Sequence, residues 1–160
     1  MSVSLVIDID GLDEALVRLK PITDFEPAPL MEALAAIGES QTRRRIESEK
    51  TAPDGTPWPD NLAETPILRE TGRNLLDSVA SQASAEVAEW GAAWEYAHVH
   101  QDGMTIVPRE AKKLAFAFAG GFAVVDEVTI PARPFVGISD ENREELREVV
   151  TDYLGIGGAR

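Results

Sequence analysis

The chain has 160 residues and a mass of 17.4 kDa, with 44% apolar and 27% charged residues, which fits one globular domain with its own core. Its formal charge of −13 is shared between residues 1–80 (about −7) and 81–160 (about −6), so the whole surface repels phosphate backbones and a role in coating DNA or RNA is disfavoured. The absence of cysteine excludes disulfide scaffolds and thiolate zinc sites, the longest apolar runs fall far short of a ~20-residue membrane span, and Met1 to Asp10 lacks the marks of a signal peptide, so the protein is expected to be soluble and made in a cytoplasm.

Val3, Leu5, Ile7 and Ile9 alternate and predict a strand, ended by Gly11. Residues 12–20 suit a short helix with Leu12, Leu16 and Leu19 on one side, and Pro21 is expected to stop or bend it. A loop over 23–29 precedes the longest predicted helix, residues 29–49, with Pro29 in its first turn. Its stripe is Met31, Leu34, Ala35, Gly38, Thr42 and Ile46, and Arg43, Arg44 and Arg45 lie near its C-terminal end. Four prolines between residues 50 and 66 forbid regular structure, but Trp58 predicts an ordered, aromatic-anchored loop. Thr71 is expected to cap a short helix carrying Leu75, Leu76 and Val79.

From about residue 84 strands are expected. Residues 85–90 form one, 93–100 read equally as strand or helix, residues 101–103 turn, and Met104 to Val107 form a short strand. Residues 112–130 predict a hairpin: Leu114, Phe116 and Phe118 alternate, Gly120 and Gly121 turn, and Phe122, Val124, Val128 and Ile130 alternate on the return. A proline-stiffened crossing over 131–135 leads to a last helix, capped by Ser139 or Asp140, with a stripe of Leu146, Val149, Val150, Tyr153 and Leu154. The sum is one α+β domain over residues 1–154, an antiparallel sheet with a long hairpin packed against two or three helices, and a flexible tail over 155–160.

Chemistry-bearing patterns are sparse. His98 and His100 are the two histidines, and on a strand they would share a face as a metal pair, although no nearby Asp or Glu is spaced as a third ligand; the alternative is a partly buried pair bonded to backbone. No Gly-x-Ser-x-Gly and no phosphate-cradling glycine loop is present. The triple arginine reads as a solvated helix end pairing with Glu39, Glu47 and Glu49. Phe116, Phe118 and Phe122 surround the hairpin turn, where large apolar side chains fit either a core or a contact with a partner.

Five motifs occur in order: Gly55-Thr-Pro-Trp58, Ile67-Leu-Arg-Glu-Thr-Gly72, Ser78-Val79, Tyr96-Ala-His-Val-His-Gln-Asp-Gly103 and Ile130-Pro-Ala-Arg-Pro-Phe-Val-Gly137. Together, across about residues 30–150, they resemble the phage virion morphogenesis proteins, which include tail completion and tail-to-head joining proteins of tailed phages. Asp102 stands where that family often has an aromatic, and Val136 where leucine is usual. The resemblance implies a structural virion protein, without catalysis, metal or cofactor, that completes the tail and joins it to the head as a homo-oligomeric, hexameric ring. The implied partners are tail tube or sheath proteins and head-closure or connector proteins, with DNA passing an acidic lumen without specific binding and no membrane contact. It further implies a place in the virion, at the neck or top of the tail. Its implied interface and structural residues are Gly55, Trp58, Gly72, Tyr96, His100, Gly103, Phe116, Phe118, Phe122, Arg133, Pro134 and Phe135. A head-closure or neck connector is the alternative within the class; a small metal-dependent hydrolase using His98 and His100, or a cytoplasmic binding module, are alternatives outside it.

Overall fold

Pro27 and Pro29 both fit the first turn of a helix, where a missing N–H removes no intrahelical bond. The longest helix therefore starts two residues before the sequence pattern places it. In the computed structural model, which describes residues 11–61, 66–69, 74–118 and 121–156, four helices and three two-stranded antiparallel sheets form one small α+β domain among the described residues. The predicted strand over 3–9 and the Thr71-Gly72 helix start lie outside the described residues.

Helix α1, Leu12–Thr23, runs through Pro21 instead of stopping there. The proline removes one bond, to the carbonyl of the exposed Val17, and the last turn is closed by the Asp24 N–H donating to the Lys20 carbonyl at 2.9 Å. Helix α2, Pro27–Arg44, widens into a π turn over Arg45–Glu49. Lys50 ends it at φ 57°, its N–H bonded to the Arg45 carbonyl five residues back. The buried stripe of α2 includes the expected Ala35, Gly38 and Thr42, but also Leu30 and Gln41.

The described part of the proline loop, residues 50–61, is ordered, as Trp58 suggests. Thr51 and Pro57 form a bridge, and the Trp58 N–H donates to the Lys50 carbonyl at 2.9 Å. Residues 74–78 are turns, where a helix was expected. Strand β1, Val79–Ala83, starts at the residue assigned to that helix and pairs with β2, Ala88–Ala92, so the strand expected over 85–90 begins later. This hairpin packs on α2. Gly38 is the contact: a Cβ there would sit 2.3 Å from the Trp90 ring, so only a bare backbone admits the indole.

Helix α3, Ala97–Asp102, settles the ambiguous stretch as helix. Strand β3, Met104–Ile106, pairs with β6, Val128–Ile130, while β4, Leu114–Phe118, pairs with β5, Gly121–Val125. The long hairpin expected over 112–130 is thus shorter. The polar pair Asp126-Glu127 ends it, and Val128 and Ile130 return to a different strand. The ribbon packed on α2 is β1–β2, not this hairpin. Helix α4, Asp140–Tyr153, starts in a capping box: Ser139 Oγ accepts from the Asn142 N–H at 3.1 Å, and the Asn142 side chain reaches back to the Ser139 N–H. Its apolar stripe is only half-buried, with Tyr153 exposed, and the residue it buries is Asn142. The core gathers Ile46, Trp58, Leu75, Val79, Ala97 and Phe135. No helix among the described residues is long and apolar enough to cross a membrane.

Candidate functional site

Three of the five motifs meet in one buried junction. The proline loop supplies Trp58, whose indole Nε1 donates to the Pro134 carbonyl at 3.1 Å. The crossing supplies Arg133, whose Nε and Nη2 donate to the carbonyls of Pro59 and Asp60, each at 2.9 Å. The planar guanidinium suits two neighbouring acceptors, and prolines on either side stiffen the backbone that presents it. Helix α3 supplies Gln101. Its Oε1 accepts from the Phe135 and Val136 N–H groups at 3.0 Å, and its Nε2 donates to the Val136 carbonyl at 3.0 Å. An amide here does the work of a strand neighbour, pairing a segment that has none. The Arg133 N–H donates to the His100 carbonyl at 2.7 Å and completes the lacing.

Arg45 braces the same segment from the other side and is 1% exposed. The π turn carries it inward. Nη1 donates to the carbonyls of Phe135 (3.1 Å) and Gly137 (2.9 Å), and Nη2 to Asn142 Oδ1 at 2.6 Å. Glu49 lies 3.7 Å from Nε. Burial pushes this guanidinium below its ordinary pKa, opposed by Glu49 and reinforced by Arg44. Arg133 is lowered by burial too, with Asp60 opposing. Asn142 joins the helix cap to Arg45, and Gln41 Nε2 donates to Glu145 Oε2 at 2.8 Å beside it. Of the arginine triplet, Arg43 pairs with Glu39 at 3.0 Å and Arg44 with Glu49 at 2.8 Å, as a helix end would. Arg45 corrects the reading of the triplet as solvated: it belongs to the interior.

The face that His98 and His100 would share on a strand is ruled out by α3, on which residues two apart point roughly 200° apart. His98 is exposed, with Nδ1 2.9 Å from the Glu95 carbonyl. His100 is half-buried, stacked on Trp94 at 5.7 Å between ring centroids, and its Nδ1 is buried without a partner. No group of three or more metal-ligating side chains occurs among the described residues. Burial, then repulsion from Arg133, holds His100 below its ordinary 6.5. The neutral ring is the folded form, so its contribution is complete above pH 6.5 and declines as pH falls below that value. We expect the urea midpoint of the native chain to fall between pH 7.5 and 5.5, and His100→Gln to flatten that fall while His98→Gln does not. Equal slopes in all three would contradict it.

Gly103 ends α3 at φ 74°, and a Cβ there would lie 2.7 Å from the Ala132 nitrogen and 3.0 Å from the Ile130 carbonyl oxygen. Both the backbone angle and the backbone contact resist a side chain. Gly103→Ala is expected to cost about 1–3 kcal/mol, read as a lowered urea midpoint with unchanged slope.

The other residues singled out from the sequence divide in two. Phe135 is buried beside Trp58, Pro134 gives its carbonyl to the indole, and Gly55 makes the turn at the tip of the proline loop. Tyr96 is exposed and meets Trp94 edge-on at 5.5 Å. Phe116 is half-buried in β4, Phe118 pairs in register with Gly121, and Phe122 is 68% exposed. Gly72 lies outside the described residues. Gln101 and Asn142 are not among these residues, and Arg45 is read from the sequence only as part of the solvated triplet. Gln101 stands inside a quoted motif, but nothing local marks Arg45 or Asn142, whose partners are about 90 residues distant.

The junction spends its polar side chains on backbone carbonyls and amides and presents none of these groups to a ligand. It is a brace that fixes the crossing and leaves the ribbons and α1 at the surface. Comparison with the curated proteins and with the solved structures gives no significant match. The profile of one family, described as the phage virion morphogenesis family, matches residues 7–155, and its span contains the whole junction. The chain belongs to the phage virion morphogenesis family.

Proposed function

We propose that the protein is a non-enzymatic tail completion protein, which assembles as a ring of identical copies at the top of the phage tail and joins it to the head. The family match across 7–155 carries this reading. A role in building the virion follows from membership; the ring and the joint are our extension of it. Two features support the extension. The motif residues serve internal bracing, so the surface is left for contacts. The charge of −13 suits a channel wall that DNA passes without adhering. Tail tube or sheath proteins on one side and head-closure or connector proteins on the other are the partners this role requires.

Deleting the gene tests it. The expected result is filled heads and finished tails that accumulate apart and join when purified protein is added. Intact infectious particles from the deletion would overturn the reading. Heads that lose DNA while tails stay complete would move the protein to a head-closure role.

A further inference from the structure

The bracing uses the His100 carbonyl but not its ring. The ring lies half-buried on Trp94, with 20° between the two planes, and its Nδ1 is enclosed by protein without a hydrogen-bond partner. A neutral imidazole carries one N–H and a charged one carries two. Whichever tautomer the neutral ring adopts, the cation must therefore hold a proton on the enclosed Nδ1, where nothing accepts it. Stacking on Trp94 alone would favour the cation. Burial and the Arg133 guanidinium act the other way and prevail, holding the ring below its ordinary 6.5.

Arg133 is 5% exposed, and it is also the side chain that ties down the end of the described proline loop, through the carbonyls of Pro59 and Asp60. The charges around the ring leave this repulsion unopposed. From the crossing, Arg133 repels a ring cation, and no described carboxylate offsets it at the ring. From the proline loop, Asp60 attracts Arg133. From the segment before α3, Trp94 offers a neutral face, and on α3 itself His98 and Asp102 are exposed.

We propose that His100 is a proton-operated catch on the proline loop: a proton taken up by its ring drives Arg133 off the Pro59 and Asp60 carbonyls and opens residues 59–61 while the rest of the domain stays folded. The linkage is reciprocal. The closed junction weakens proton binding, so the proton weakens the closed junction by the same factor. The catch is shut at pH 7.5 and opens as the pH falls through the ring's folded value, which lies below 6.5. Opening stays local because the remainder of the loop has separate ties. These are the Trp58 indole on the Pro134 carbonyl, the Trp58 N–H on the Lys50 carbonyl and the Thr51–Pro57 bridge, none of which uses an atom of His100 or Arg133.

A pH titration of the native chain by NMR reads both events. The expected result is a His100 ring that titrates below 6.5, with protection of the Arg133 Nε proton against exchange falling roughly 5-fold or more at the same midpoint. The Trp58 indole proton should stay protected across that step. His100→Gln should remove the step at Arg133, and His98→Gln should leave it in place. A His100 midpoint at or above 6.5, or Arg133 protection unchanged through the His100 step, would overturn the catch. Simultaneous loss of the Trp58 indole proton would overturn it too, because the acid step would then be unfolding of the domain. If His100→Gln does not fold, the native titration decides by itself.

Discussion

Arg45→Ala is expected to lose about 3–5 kcal/mol of folding stability, the scale of breaking a buried, hydrogen-bonded charge network. Three acceptors lose their donor at once: the carbonyls of Phe135 and Gly137 and the Oδ1 of Asn142. Two of the three have no water to turn toward, since Phe135 and Asn142 are themselves buried, while Gly137 is half-buried. Arg45→Lys keeps the charge but cannot reach acceptors on two sides, so it should fall between the two. A cycle with Asn142→Ala should give a coupling of about 0.5–3 kcal/mol. The measurement is urea unfolding followed by circular dichroism. A loss under about 1 kcal/mol for Arg45→Ala would mean the arginine is not the brace described.

Trp58→Ala is expected to cost about 3–5 kcal/mol, from a large buried aromatic removed beside Phe135 and Ile46. Trp58→Phe keeps most of the apolar area and loses the bond to the Pro134 carbonyl, so it should cost less, about 1–2 kcal/mol. The two variants separate packing from hydrogen bonding. Only the alanine variant should free the proline loop, read as faster proteolytic cutting between residues 50 and 61 than in the native chain. Equal losses in both would show that the indole N–H, not the ring, holds the loop.

The parts of this structure legible in the sequence are those that local pattern decides. Trp58 among prolines marks an anchored loop, Ser139 marks a helix start, and the ordered motifs mark the family. The parts that pattern misreads are decided by distant partners. Leu75, Leu76 and Val79 are spaced for a helix, but Val79 opens a strand because Ala92 pairs with it. The 112–130 alternation continues across Asp126-Glu127, yet β3 takes Val128–Ile130. Arg45 stands in a charged triplet that reads as solvated, and it is buried because a π turn rotates it toward carbonyls some 90 residues away. The histidines read as a pair only on a strand, and a helix separates them. Three of the five shared motifs meet in the brace, whereas α1 and one face of the β4–β5 hairpin are exposed and carry none of the polar motif residues.

Cryo-electron microscopy of purified particles tests the central claim most directly. The account predicts density for a closed ring of this chain between head and tail. Mature particles that lack the chain, together with a free monomer that turns over a substrate, would contradict it.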